Sequence, residues 1–397
     1  MTISRILQLH NRYRHFGGED IICQSEHELL TGHGHEVKQV FFDNRTIGES
    51  WSSKWEAGLR AIHNPEAAHV LARELKDFRP DVVHVHNFFP LISPAVFRAA
   101  KSMGIPVVAT INNYRLICCK ATLFRDNHIC EKCTQSFLPV SGIRYRCYHD
   151  SAIQSAAVTL MSSWHKAIGT WRQSVDRYIL AMTNFGAQKI IQSSLKLPAE
   201  KCVVKPNFVR DPGVGDLPRD DYFLFFGRLS LEKGINTLLQ AQAQAQFPLL
   251  IAGDGPLKPS VLNACQQSSR LRYVGFQTND QVKVLIKRAK AVIFPSVWYE
   301  GMPLALLETL ACGTPVIISD LQPFQELITD HVDGLIFRTG DADDLAKKIA
   351  EFERLPPQIY QNARETYLTH YTPQRNYELL INIYRDAFNA HGKKKCA

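Results

Sequence analysis

Apolar runs of strand length recur along the chain, each separated from the next by a stretch with helical spacing of apolar and polar positions. In the first half these runs are "RILQL", "VKQVFF", "DVVHVH" and "PVVATI". In the second half they are "YFLFFG", "FPLLIAG", "LRYVG", "AVIFPS" and "TPVIIS", with helical stretches such as 234–245 and Leu304–Ala311 between them. Strands apolar on both faces, alternating with helices, predict parallel, doubly wound α/β sheets. The segment "NFVRDPGVGDLPRDD", residues 207–221, is rich in Pro, Gly and Asp and reads as a joint, with a new strand starting at Tyr222. The expected organisation is therefore two Rossmann-like domains, residues 1–205 and 206–371, and a last segment, 372–397. Ligands are expected at the carboxyl ends of the strands, in a cleft between the domains.

Composition narrows this picture. A chain of 397 residues suits two or three domains at ~150 residues each. With 45% hydrophobic and 21% charged residues it reads as soluble and globular, and it has no run of ~18 apolar residues to cross a membrane. The first apolar run is too short for a signal peptide, so a cytoplasmic protein with mostly reduced cysteines is expected. Forty-six basic and 38 acidic residues leave a charge of +8. The basic residues are scattered, with no nucleic-acid signature, which favours anionic small molecules or an anionic membrane surface over nucleic acid.

Candidate chemistry follows the strand ends of the second half. In "FFGRLSLEKGI", Gly227 and Arg228 end a strand and Lys233 precedes Gly234. A guanidinium fork and an ammonium on one turn suit a diphosphate, although alone the turn is an ordinary solvated one. In "IAGDGPL", Gly253 and Gly255 allow a tight turn with close backbone approach. In "SVWYEGMPLALLETLACGTPVIIS", Glu300 lies before a helix that Pro303 would open, and Glu308 lies within it. Amides around Gly301 and Met302 would sit at that helix start, where they lack helical partners. Two carboxylates there can accept hydroxyl protons from a sugar and a ribose; the plainer reading is a helix-terminal acid and a partly buried ion pair. No G-x-G-x-x-G follows the first strand, which argues against a nicotinamide dinucleotide.

Taken in order, G-R-x3-E-K-G, G-D-G-P and E-G-M-P-L-A-L-L-E-x3-C-G-T-P-V-I resemble the donor domain of family 4 glycosyltransferases, retaining enzymes of the GT-B fold. The resemblance implies that Arg228 and Lys233 neutralise a diphosphate leaving group, that Glu300 binds the donor sugar and that Glu308 binds the ribose. It adds Gly227, Gly253, Gly255, Gly301, Met302, Pro303 and Leu304 to the donor site. Gly17 and Gly18, before Glu19, resemble the family's first-domain glycine loop. It implies a hexose moved from a nucleotide-diphosphate sugar to a glycan or lipid-linked acceptor in bacterial surface polysaccharide synthesis, without a catalytic metal, at or near the inner face of the cytoplasmic membrane. The last helix would cross back to the first domain. Where related chains follow "PVVATI" with His-Asn or His-Asp, this one has Asn112-Asn113, and Asn112 can bond a sugar hydroxyl but carries no proton. A GT-B epimerase or hydrolase, or a non-catalytic subunit that binds nucleotide sugars, fits the same residues.

Two further features stay open in the sequence. Cys118, Cys130, Cys133 and Cys147, in an insertion spanning 118–147, have the spacing of a structural zinc staple or of packed thiols. Residues 144–178 read as helical, with Trp164 and Trp171 among Arg and Lys. They suit either a helix pair covering the first sheet or a surface resting on anionic lipid. The tail "HGKKKCA" could touch the same lipid or hang free.

Overall fold

The computed structural model describes residues 3–14, 17–48, 50–215 and 218–395. It divides into two compact units. Unit one comprises Met1–Leu123, Glu131–Asn207 and Gln374–Ala397; unit two comprises Phe124–Cys130 and Phe208–Pro373.

Unit one is built on a sheet of β1 (Arg5–Arg12), β2 (Glu36–Asp43), β3 (Val82–Asn87) and β4 (Val107–Ile111). A short antiparallel hairpin, β5 (Phe124–Arg125) and β6 (His128–Ile129), belongs to unit two and interrupts the chain before β7 (Arg177–Leu180) and β8 (Cys202–Val204) complete the sheet. The order is β2-β1-β3-β4-β7-β8, all parallel. β3 and β4 are buried at every position, which is why they read as unbroken apolar runs, while the edge strand β2 is only half-buried.

Unit two carries β9 (Phe223–Phe226), β10 (Leu249–Ala252), β11 (Leu271–Tyr273), β12 (Val292–Phe294), β13 (Val316–Ser319) and β14 (Gly334–Phe337). Their order is β11-β10-β9-β12-β13-β14, again all parallel. Two apolar clusters, one on each face of this sheet, hold its helices: Phe223, Ile251 and Ile293 point to one, Leu224, Val292 and Ile318 to the other. In both units the chain reverses direction across the sheet beside the first strand, between β1 and β3 and between β9 and β12. The carboxyl ends of strands at such a reversal leave a crevice for a ligand.

The boundary at Asn207 and Phe208 falls at the start of the expected joint. The helix Pro373–Lys395 lays Leu380, Ile383 and Tyr384 against Ile6, Val82 and Val108 of the first sheet. A buried ion pair secures it: Lys205 Nζ lies 2.8 Å from Glu26 Oε1 and 2.9 Å from Asn376 Oδ1. Burial and Lys205 push His84 down to about 3, so it sits beside Glu26 as a neutral ring.

One expectation needs correction here. Residues 144–178 are not one helical segment. The helix Ala152–Ala167, capped by Ser151, ends before Gly169 in the left-handed region (φ +71°), and strand β7 begins at Arg177. Trp164 is consequently exposed while Trp171 is buried against Phe88 and Phe97. Of the four cysteines, Cys133 is buried and Cys118, Cys130 and Cys147 are half-buried. Among the described residues the one metal-sized group of His, Cys, Asp and Glu atoms is Glu26, His84 and His86. Cys118 and Cys119 lie in a turn folded back on Tyr114, and Cys130 is counted with the other unit. Even the Glu26 group is poorly suited to a cation: Lys205 already holds the carboxylate, and both His84 nitrogens are engaged, by Tyr384 and Thr110, at 2.7 Å. The side chains of the basic tail lie outside the described residues.

Candidate active site

In unit two the strand ends beside the reversal place three of the charged residues. After β9, Gly227 and Gly234 bracket a turn carrying Arg228 and Lys233. Gly234 has φ +72°, and a Cβ there would lie 1.7 Å from the Pro295 carbonyl oxygen, so the turn from β9 presses directly against the end of β12. Gly253 after β10 is as tightly placed, its Cβ position 1.9 Å from the Gly227 oxygen. These contacts, which only glycine permits, bring Lys233 to Glu300: Nζ lies 2.6 Å from Oε1.

Ser296 Oγ and Trp298 Nε1 donate to that same oxygen at 2.8 and 2.9 Å. Three donors on Oε1 fix the carboxylate, and Oε2 makes no hydrogen bond among the described residues. An oriented acceptor of this kind suits a sugar hydroxyl. Arg228 is exposed and makes no ion pair or side-chain hydrogen bond among the described residues. Glu308, one turn into the helix Leu304–Ala311, has no hydrogen-bond partner there either. Burial raises its pKa and Lys283 offsets part of that. The helix starts one residue later than expected, with Pro303 as its cap. The Gly301 and Leu304 amides have no partner among the described residues, whereas Met302 packs on the apolar cluster.

Unit one has its own small hollow at the ends of β1, β3 and β4, lined by Tyr13, Glu19, His86, Asn112, Asn113 and Arg115 among others. The Gly17–Gly18 turn stands beside it. Asp20 holds this turn, accepting from the Gly17 amide at 2.9 Å with one oxygen and meeting His10 Nε2 at 2.9 Å with the other. Its neighbour Glu19 goes elsewhere, accepting from Tyr13 Oη at 2.9 Å and from Asn113 Nδ2. Burial raises the Glu19 pKa in spite of these bonds. Arg115 donates to the Cys119 carbonyl at 2.7 Å and lies beside the rings of Phe89 and Tyr148, 5.0 and 4.9 Å from their centroids. Asn112 Oδ1 and His86 Nδ1 are buried without a hydrogen-bond partner.

Two family models account for most of the chain. One, described as glycosyl transferases group 1, matches residues 213–367, and the other, glycosyltransferase family 4, matches 28–211. The chain belongs to glycosyltransferase family 4. It is 30% identical over 199 residues to an uncharacterized glycosyltransferase of Methanocaldococcus jannaschii, covering 48% of this chain and 50% of that one. It is 25% identical over 254 residues to the O-antigen chain mannosyltransferase C of Escherichia coli, covering 60% and 67%. The chain spans about half the length of the first curated relatives it matches, 50% and 47%. Sucrose-phosphate synthase from Thermosynechococcus elongatus has the same fold, with a TM-score of 0.70 and 18% identity over 98% of this chain and 100% of that one. HepE of Anabaena, solved in complex with UDP-glucose, has a TM-score of 0.62 and 16% identity over 95% and 99%. The fold is GT-B.

Within this family 4 chain, Arg228, Lys233, Glu300 and Glu308 share unit two, and the structure brings Lys233 and Glu300 into direct contact. Gly17, Gly18 and Asn112 belong to unit one. Ser296 and Trp298 were not singled out in the sequence, nor were Tyr13, Glu19, Asp20, His86 and Arg115. A usable signal existed for some of them: polar residues at the carboxyl end of an otherwise apolar strand, as in "VVHVHN" and "VIFPS".

Proposed function

We propose that the protein is a retaining glycosyltransferase that moves a hexose from a nucleotide-diphosphate sugar to a hydroxyl of a glycan or lipid-linked acceptor in polysaccharide synthesis. The observation that carries this reading is the Lys233–Glu300 pair at the ends of β9 and β12, beside an exposed and unpaired Arg228. Cleaving the sugar–phosphate bond leaves negative charge on the diphosphate, and these two cations stabilise it where it develops. Glu300, held by three donors on one oxygen, offers the other to the sugar. Glu308 accepts from the ribose, and the Gly301 and Leu304 amides bind the remaining donor oxygens.

The assignment of Gly17 and Gly18 to the donor phosphates rests on the family pattern alone. Asn112, with its side-chain oxygen unpartnered in the first hollow, is suited to accept from a sugar hydroxyl. The UDP and UDP-glucose complexes of HepE and the mannosyltransferase relatives support a nucleotide-hexose donor.

The test is a panel of nucleotide sugars offered to the purified protein, with donor breakdown and transfer followed by mass spectrometry and the anomeric configuration of the product by NMR. Consumption of one donor with retained configuration is the expected result. Inverted product would overturn the retaining assignment. Binding without turnover, with every acceptor offered, would favour a non-catalytic subunit. Epimerised free donor would favour an epimerase.

A further inference from the structure

Unit one has a helix that carries apolar residues on its outer face. Ala152–Ala167 buries Val158 and Met161 together with Ser155, Thr159, Ser162, Ser163 and His165, and turns Ile153, Leu160 and Trp164 outward at 49%, 50% and 55% exposure. At ~100° per residue these three lie within about 40° of one another, on one stripe. The buried polar groups grip neighbouring backbone. Ser162 Oγ donates to the Leu116 carbonyl at 3.0 Å, Ser163 Oγ to the Phe137 carbonyl at 3.0 Å, and His165 Nε2 lies 2.8 Å from the Ile62 carbonyl oxygen.

The apolar stripe continues onto two neighbours. Helix Trp51–Ile62 packs alongside, with Gly58 facing Ala157, and shows Trp55 and Leu59 at 48% and 53%. The segment pinned by Ser163 shows Phe137 at 56%. Among the described residues, every large apolar side chain exposed on unit one lies between residues 55 and 164; in unit two they are scattered.

Around this face charge is one-sided. Residues 132–172 hold five cations, Lys132, Arg144, Arg146, Lys166 and Arg172, against the single acid Asp150. None of the five is paired with a carboxylate among the described residues. An apolar patch with two tryptophans, on and beside a stretch of chain rich in cations without carboxylate partners, matches the interface of an anionic bilayer.

We infer that this face of unit one docks on the surface of an anionic lipid bilayer. A second copy of the chain fits poorly, because an isologous contact would set five cations against five. Through Ser162 the same helix grips Leu116, a residue lining the first hollow, so docking would set that hollow at a lipid surface. The acceptor is then carried on a lipid; this last step alone rests on the transferase reading.

The experiment is co-sedimentation of the full chain with phosphatidylcholine vesicles, with and without phosphatidylglycerol, in the absence of donor and acceptor. Binding is expected only with phosphatidylglycerol and should weaken as salt rises. Removing one cation, as in Arg144→Ser or Arg146→Ser, should lower the partition about five-fold. The double variant Trp55→Ser, Trp164→Ser should lower it further, with an unchanged circular dichroism spectrum. No binding to anionic vesicles, or equal binding by the double variant, would overturn the inference. So would a lipid-free dimer by light scattering that the double variant dissolves. Loss of sugar transfer with vesicle binding intact would count against the transferase reading and leave the docking surface standing.

Discussion

The two units share a parallel six-stranded sheet and a reversal beside the first strand, yet they present different chemistry at that reversal. Unit two offers cations: Arg228, exposed and unpaired among the described residues, and Lys233 anchored on Glu300. Unit one offers mostly neutral groups, with Glu19 taking hydrogen bonds from Tyr13 and Asn113, Arg115 held on the Cys119 carbonyl and Asn112 left open. A shared architecture fixes where a ligand can bind, and the residues at the strand ends decide what charge it carries. The cationic end suits a diphosphate and the hydroxyl-binding end suits a sugar. The units are also secured differently. Unit one relies on a buried ion pair between Lys205 and Glu26, whereas the turns of unit two rely on glycines at positive φ.

Breaking the ion pair should have the largest effect. Lys205→Ala leaves Glu26 buried without its cation, and a loss of about 3–5 kcal/mol is expected. Hydrogen exchange should show it in β1, β3 and the last helix and leave β9 and β12 protected. Equal exposure of both sheets would mean that the two units do not differ in this way. Next comes the cationic end itself: Lys233→Ala or Glu300→Ala should reduce sugar transfer about 10²–10³-fold without lowering the melting temperature markedly. Wild-type rates in either variant would remove these residues from the site.

Gly253→Ala forces a methyl group onto the Gly227 carbonyl at φ +138°, and at least about 1–3 kcal/mol of unit two's stability should go. Denaturant melts that match the wild type would show that the turn can relax. The smallest effect concerns pH. Burial raises the Glu19 pKa above its unfolded value, so the folded chain holds the proton more tightly. The stability this contributes is full below the unfolded carboxylate value and is lost as pH rises through the folded one. Glu19→Gln should flatten that decline in unit one, and Glu308→Gln, with a shift of the same sign, should flatten it in unit two. Melting curves of each variant across this range measure the difference; curves parallel to wild type would show that neither carboxyl is held protonated.

Much of this was legible in the chain. Nine apolar runs named nine strands, because a strand buried on both faces must be apolar throughout. Five strands were passed over, the two-residue β5 and β6 and the short β7, β8 and β14: "RYIL", "CVV" and "GLIF" are too short to tell from the end of a helix. The tight turns at the strand ends of unit two were legible because such turns need glycine, and glycine is visible in a sequence. That Lys233 meets Glu300, 67 residues away, was not, since the contact depends on how β9 and β12 lie side by side.

By itself the sequence determined the doubly wound class and the glycines and charged residues at the strand ends of unit two, all of which follow from local periodicity and turn chemistry. The tertiary structure alone decided the rest. It separated Glu19 from Asp20, sending one to a hollow and the other into a turn. It also turned Trp164 outward and Trp171 inward. These outcomes depend on which loops a helix must hydrogen-bond, and loops are positioned by strands far away in the chain. A helix with polar side chains on its buried face cannot be oriented from its own periodicity, because burial follows the partners that satisfy those groups.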